Sequence, residues 1–114
     1  MEAIPRRILK YVALNGKTVF DAWLGSLKDI KGMAKIRAAI DRLEEGNLGN
    51  CKSVGDGVIE CVVNFGPGYR VYFGQQGAVF IILLCGGDKR TQDKDIQKAK
   101  EYWADFKRRF KNES

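Results

Sequence analysis

The sequence predicts one α+β domain in which helices pack on a small antiparallel sheet. Three observations carry this. Two amphipathic helical patterns occupy the first half, alternating and then continuous apolar residues fill 58–85, and a last helical pattern closes the chain. At 114 residues, 45% of them apolar, the chain has the length of a single domain spanning 1–114 and enough apolar surface to bury a core. Its composition is neither collagen-like nor that of a disordered segment.

A first strand is expected over Arg6 to Leu14, which is apolar and partly β-branched and is followed by the turn signal Asn15-Gly16. Thr18 and Asp21 resemble a capping box, with Asp in place of Glu. Phe20, Trp23, Leu24 and Leu27 then follow at helical spacing. A second helix carries Met33, Ile36, Ile40 and Leu43 on its apolar stripe, begins near Gly32 and stops at Gly46-Asn47. At about 100° per residue, Lys28, Lys31, Lys35 and Arg42 share one sector away from that stripe. This sector is either a basic contact face or an ordinary solvated one.

From Cys51 onward the period changes to two. Ile59, Cys61, Val63 and Phe65 alternate with Val58, Glu60, Val62 and Asn64, as in a strand with one face toward a core. Gly66-Pro67-Gly68 turns the chain into Tyr69 to Phe73, where Tyr69, Val71 and Phe73 point one way and Arg70 and Tyr72 the other. The run Ala78 to Cys85 is nearly all apolar, so it is expected at the sheet's centre, covered on both faces. Thr91 is a candidate N-cap for a basic C-terminal helix over 91–111. Asp93 and Asp95 lie in its first turn and Lys107, Arg108, Arg109 and Lys111 at its end, with a frayed tail from Asn112. The predicted order is β-α-α-β-β-β-α.

A formal charge of +6 favours a polyanionic partner such as nucleic acid, the ribosome or an acidic protein. The longest apolar run, Ala78 to Cys85, is far short of the roughly twenty residues that span a bilayer, and no secretory signal is evident from Met1 to Lys10. Cys51, Cys61 and Cys85 form neither a disulfide framework nor a CxxC metal pair, so they read as small hydrophobes in a reducing cytoplasm. No metal or other cofactor is expected.

Two stretches carry a family resemblance. Glu60 through Phe73 (ECVVNFGPGYRVYF) and Gly86 through Ala99 (GGDKRTQDKDIQKA) resemble the addiction-module killer-protein branch, HigB-like, of the RelE/ParE toxin superfamily. The helical pair before them, including Phe20-Asp21-x-Trp23-Leu24, is similar too, so the resemblance covers about residues 5–105. It implies a small twisted antiparallel sheet with two N-terminal helices. It also implies a toxin of a toxin-antitoxin system, with a helix-turn-helix antitoxin as partner. RelE-like members enter the ribosomal A site and cleave mRNA without a metal.

Metal-free RNA cleavage requires activation of the ribose 2′-OH, stabilisation of the phosphorane charge and neutralisation of the leaving oxygen. The chain has no histidine, so a two-histidine ribonuclease is excluded. The resemblance makes Arg70, Lys89, Tyr72 and Glu60 the candidate catalytic set. Arg70 can hold a scissile phosphate bidentately or pair with Glu60 across the hairpin. Lys89 can stabilise charge or exchange a proton, or be a surface lysine. Tyr72 can stack on a base, donate to an oxygen or simply pack. Glu60 can act as a base or orient Arg70. Gln92, Lys31, Lys35, Arg37, Lys52, Lys107 and Arg108 are the candidate RNA contacts. Many family members carry a basic residue two positions after the glutamate, where this chain has Val62. The alternatives are a ParE-like inhibitor of DNA gyrase and an inactive relative that only binds its antitoxin.

Overall fold

Five strands form one mixed sheet in the computed structural model, which describes residues 4–110. The elements run β1 (Arg7–Lys10), α1 (Val19–Ser26), α2 (Ile30–Glu44), β2 (Cys51–Gly55), β3 (Val58–Val63), β4 (Tyr69–Gln76) and β5 (Phe80–Gly87). A 3-10 turn (Lys89–Thr91) then leads into α3 (Gln92–Arg109). Strand order is β1-β5-β4-β3-β2, with β5, the most apolar strand, flanked on both sides. Lys111 and the tail from Asn112 lie outside the described residues. No helix among the described residues is long and apolar enough to cross a membrane.

The α+β class is as expected, but the sheet differs from the predicted one in two respects. It has a further strand, β2, antiparallel to β3, and it is mixed because β1 runs parallel to β5. The β2–β3 hairpin turns at Asp56-Gly57, where both residues take positive φ (55° and 83°). Asp-Gly between Val54 and Val58 is a strong hairpin signal, obscured here because Cys51–Gly55 carries little apolar alternation. β1 is also shorter than predicted: beyond Lys10 the Tyr11 amide still bonds the Leu83 carbonyl at 2.9 Å, and the chain then turns through the Val12–Thr18 bridge into α1.

The sheet is covered on both faces. On one, α1 and α2 bury Phe20, Leu24, Ile36, Ala39 and Leu43 against Cys61, Val63, Tyr69, Val71, Phe73, Ile81 and Leu83. On the other, α3 packs Ala99, Trp103 and Phe106 on Val58, Tyr72, Ile82 and Leu84. Strand β3 is accordingly buried at Val58, Glu60, Cys61 and Val63, on both faces and not on one.

The caps differ in detail. Thr18 sits at the N-cap of α1 but makes no capping bond, and Asp21 instead pairs with Lys10 at 2.9 Å. The working cap is Asp29, whose carboxylate accepts from the Gly32 amide at 2.9 Å and from the Tyr69 hydroxyl at 2.7 Å, tying the start of α2 to β4. Those two bonds hold the Asp29 carboxyl below the usual carboxylate range. Thr91 occupies the N-cap position of α3, yet its hydroxyl donates to Asp95 at 2.5 Å.

Candidate active site

The register sets out the site. Lys52 pairs with Glu60, Glu60 with Tyr72, and Val62 with Arg70, so these residues lie on the sheet face that α3 covers. The N-terminal turn of α3 brings Gln92 over them. Glu60 is completely buried (0%). Its Oε2 accepts from the Tyr72 hydroxyl and from Gln92 Nε2, each at 2.9 Å. Two cations flank the same carboxylate, Arg70 Nε 3.8 Å from Oε2 and Lys52 Nζ 3.8 Å from Oε1. A buried carboxylate costs several kcal/mol of desolvation unless hydrogen bonds and counter-charges offset it, and here both are supplied.

Arg70 is fixed at the rim. Its Nη1 donates to the Gly68 carbonyl at 2.6 Å, and its side chain keeps 12% exposure. Both Arg70 Nε and Glu60 Oε1 are buried without a hydrogen-bond partner, so the ion pair is a charge contact and not a fork-to-fork bond. Gly68 has φ +79°, and a Cβ there would meet Arg70 Nη1 at 3.0 Å and Lys89 Cβ at 3.7 Å. Lys89 Cβ therefore stands close to the Gly68 turn, and the residue is exposed.

The Gly-Gly-Asp-Lys stretch has a packing explanation of its own. A Cβ on Gly86 would collide with the Trp23 ring, and one on Gly87 with the Asp95 carboxylate. Asp88 accepts from the Arg90 amide at 2.8 Å and so caps the turn that carries Lys89.

Tyr72, like Glu60, has no solvent exposure (0%), so it cannot stack on a base in this conformation. Burial and then its bond to Glu60 push its hydroxyl well above the usual tyrosine range, so it serves as a donor and not as a base. Neither Tyr72 nor Glu60 can touch a substrate here. They position Arg70, while Arg70, Lys52 and Lys89 are the groups that reach the surface.

Of the remaining predicted contacts, Lys35 comes nearest. Its ammonium lies 5.8 Å from the Phe65 ring centre and lines, with Arg42, Asn50, Val62 and Asn64, a cleft of about 280 Å³. Val62, which pairs with Arg70, also borders that cleft, whose other walls come from α2 and the end of β3. Asn50 and Phe65 were missed as candidates, and Arg42 was read only as part of the basic sector; alternation alone does not show that α2 lies beside the Val63–Phe65 end of β3. Lys31 is exposed on the same helix. Arg37 lines a different cavity with Ile8, Lys10 and Phe20. Lys107 stands over Trp103 and Arg108 pairs with Asp105, about 20 Å along α3 from Gln92 at 1.5 Å per residue, outside the site. Tyr102 stacks on Tyr11, also remote from Glu60.

Compared with models of known protein families, the chain matches none. It is 57% identical over 81 residues to an uncharacterized protein of Haemophilus influenzae, an alignment spanning 71% of this chain and 82% of that protein.

Proposed function

The chain belongs to one family with that uncharacterized Haemophilus influenzae protein, and on the chemistry of its Glu60–Arg70 site we propose that it is the toxin of a toxin-antitoxin module of the RelE/ParE type. Its action in this reading is ribosome-dependent, metal-free endonucleolysis of mRNA in the cytoplasm, held in check by a helix-turn-helix antitoxin. One observation carries the proposal: a guanidinium at the rim of the site, 12% exposed, stands against a buried carboxylate that Tyr72 and Gln92 hold in place. Such an arm is preorganised for a phosphoryl oxygen and costs no reorganisation when charge develops on the phosphorane. Two cations against one carboxylate leave the patch net positive, with Lys89 beside the Arg70 hairpin. The cleft from Val62 to Phe65 would take the neighbouring nucleotide, with the Phe65 ring for a base and Lys35 and Arg42 for phosphate.

The site supplies charge stabilisation more evidently than proton transfer, since its carboxylate and its phenol are both buried. Together with Val62 in the place of a cation, this favours as second reading a relative that acts by binding alone, on its antitoxin or, ParE-like, on DNA gyrase. Primer extension on mRNA from induced cells separates the readings. Cleavage predicts new 5′ ends within codons that vanish in Arg70→Ala while antitoxin binding persists. Intact mRNA with broken DNA identifies the gyrase reading, and intact RNA and DNA the binding-only one.

A further inference from the structure

Cys51 and Cys61 are register partners across β2 and β3. The Val62 amide donates to the Asn50 carbonyl at 3.2 Å, which makes 50 and 62 a hydrogen-bonded pair and the two cysteines the adjacent non-hydrogen-bonded pair. In such pairs the Cα atoms stand about 4.5 Å apart and the side chains approach most closely. A disulfide spans roughly 4.4–6.8 Å between Cα atoms, so the bond can close without moving either strand. Both cysteines are free thiols, Cys51 half-buried on the edge strand and Cys61 buried.

The surroundings suit oxidation. Cys61 borders a surface cavity of about 340 Å³ lined by Ala39, Arg42, Asn47, Gly49 and Asn50, which gives a small polar oxidant access. The neighbouring Cys51 thiol, and then the Arg42 charge, lower the Cys61 thiol against the opposing effect of burial, while Cys51 is pushed up. Attacking and resolving sulfurs are thus distinguished by place.

We propose that Cys51 and Cys61 form a redox-modification site that takes hydrogen peroxide and closes to a cross-strand disulfide. The Cys61 thiolate attacks one peroxide oxygen, an S–O bond forms, the O–O bond breaks, and the departing hydroxide takes up the proton released by the thiol as water. The Cys51 sulfur then attacks the sulfenic sulfur, the S–S bond forms, and the hydroxyl leaves with the Cys51 proton as a second water. Two thiols lose two electrons in all, and one peroxide is reduced to two waters. The bond fastens β2, an edge strand of five residues with one extra residue at Val54, to β3 directly beside the Lys52–Glu60 contact. The site stands independently of any RNA-cleaving activity.

The test uses the reduced full chain, titrated with hydrogen peroxide and followed by intact mass, alkylation after unfolding and peptide mapping without reductant. A mass lower by two hydrogens, loss of two alkylatable thiols, a linked Cys51–Cys61 peptide and full reversal by dithiothreitol are expected. Cys85→Ser should form the same bond, and Cys51→Ala should stop at oxygen addition on Cys61. Three alkylatable thiols after peroxide, oxygen addition without linkage in the wild type, or a bond involving Cys85 would each overturn the proposal.

Discussion

Tyr72 donates its hydroxyl to Glu60 Oε2 at 2.9 Å across the β3–β4 pair, and neither side chain reaches solvent. A hydrogen bond to a buried charged acceptor is worth about 1.5–3 kcal/mol. Tyr72→Phe keeps the ring in its place under α3 and removes only that bond, so unfolding stability should fall by that amount with an unchanged urea m-value. Arg70 remains held by the Gly68 carbonyl, so under the proposed toxin activity growth arrest should weaken less than in Arg70→Ala. An unchanged urea midpoint would show that the bond contributes nothing.

Glu60 itself separates charge from shape. Glu60→Ala leaves Arg70 without its counter-charge and strands the Tyr72 hydroxyl in the core, while half-buried Gln92 loses its acceptor, which should cost about 3 kcal/mol or more. Glu60→Gln keeps an oxygen for both donors and should cost about 1–2 kcal/mol. If the chain is the proposed toxin and Glu60 positions Arg70 through its charge, Glu60→Gln loses most of the growth arrest while retaining most of the stability. Full arrest in Glu60→Gln alongside loss in Arg70→Ala would deny Glu60 that role.

Much of this site is legible in the sequence because a strand's side chains have a strict period of two. Once Gly66-Pro67-Gly68 is read as the hairpin turn, Glu60, Tyr72 and Arg70 fall on one face, as the register has them. What alternation cannot show is what lies above that face. The first turn of α3 closes over Glu60 through Gln92, and this converts an apparent surface carboxylate into a buried positioning group. Lys107 and Arg108 read as candidate RNA contacts beside Gln92 on the same helix, but the length of α3 carries them away from it. The parallel pairing of β1 with β5 was illegible for a similar reason: nothing local marks a strand's partner when α1, α2 and three other strands intervene.

Gly74 explains how α3 lies so close to the sheet. A Cβ there would stand 2.5 Å from Trp103 ring carbons, a separation that real contacts do not show. The ring is stacked on Phe106 and flanked by Gly57, whose own Cβ would meet the indole Nε1 at 2.7 Å. Gly74→Ala should therefore push α3 outward and cost about 1–3 kcal/mol, as overpacked cores do. Thermal denaturation should show a Tm lower by several degrees. An equal or higher Tm would mean that the helix accommodates the methyl group freely.

Alkaline stability gives a prediction of fixed sign. The Tyr11 hydroxyl donates to Asp105 Oδ2 at 2.6 Å, and burial first, then that bond, pushes it up to about 12. Tyr69, Tyr72 and Tyr102 are also shifted upward. In the unfolded chain a tyrosine ionises near pH 10. A group with a raised folded value contributes stability that is complete below the unfolded value and is lost as pH rises toward the folded one. Asp105 has the opposite shift, lowered first by the Tyr11 bond, so its contribution is lost only in acid. Urea midpoints should hold steady up to about pH 9 and fall steadily between about 10 and 12. Tyr11→Phe should start lower and fall less steeply through that window, because the proton that links folding to pH at this position is gone. A wild-type midpoint that rises with pH there would contradict the burial and bonding of these hydroxyls.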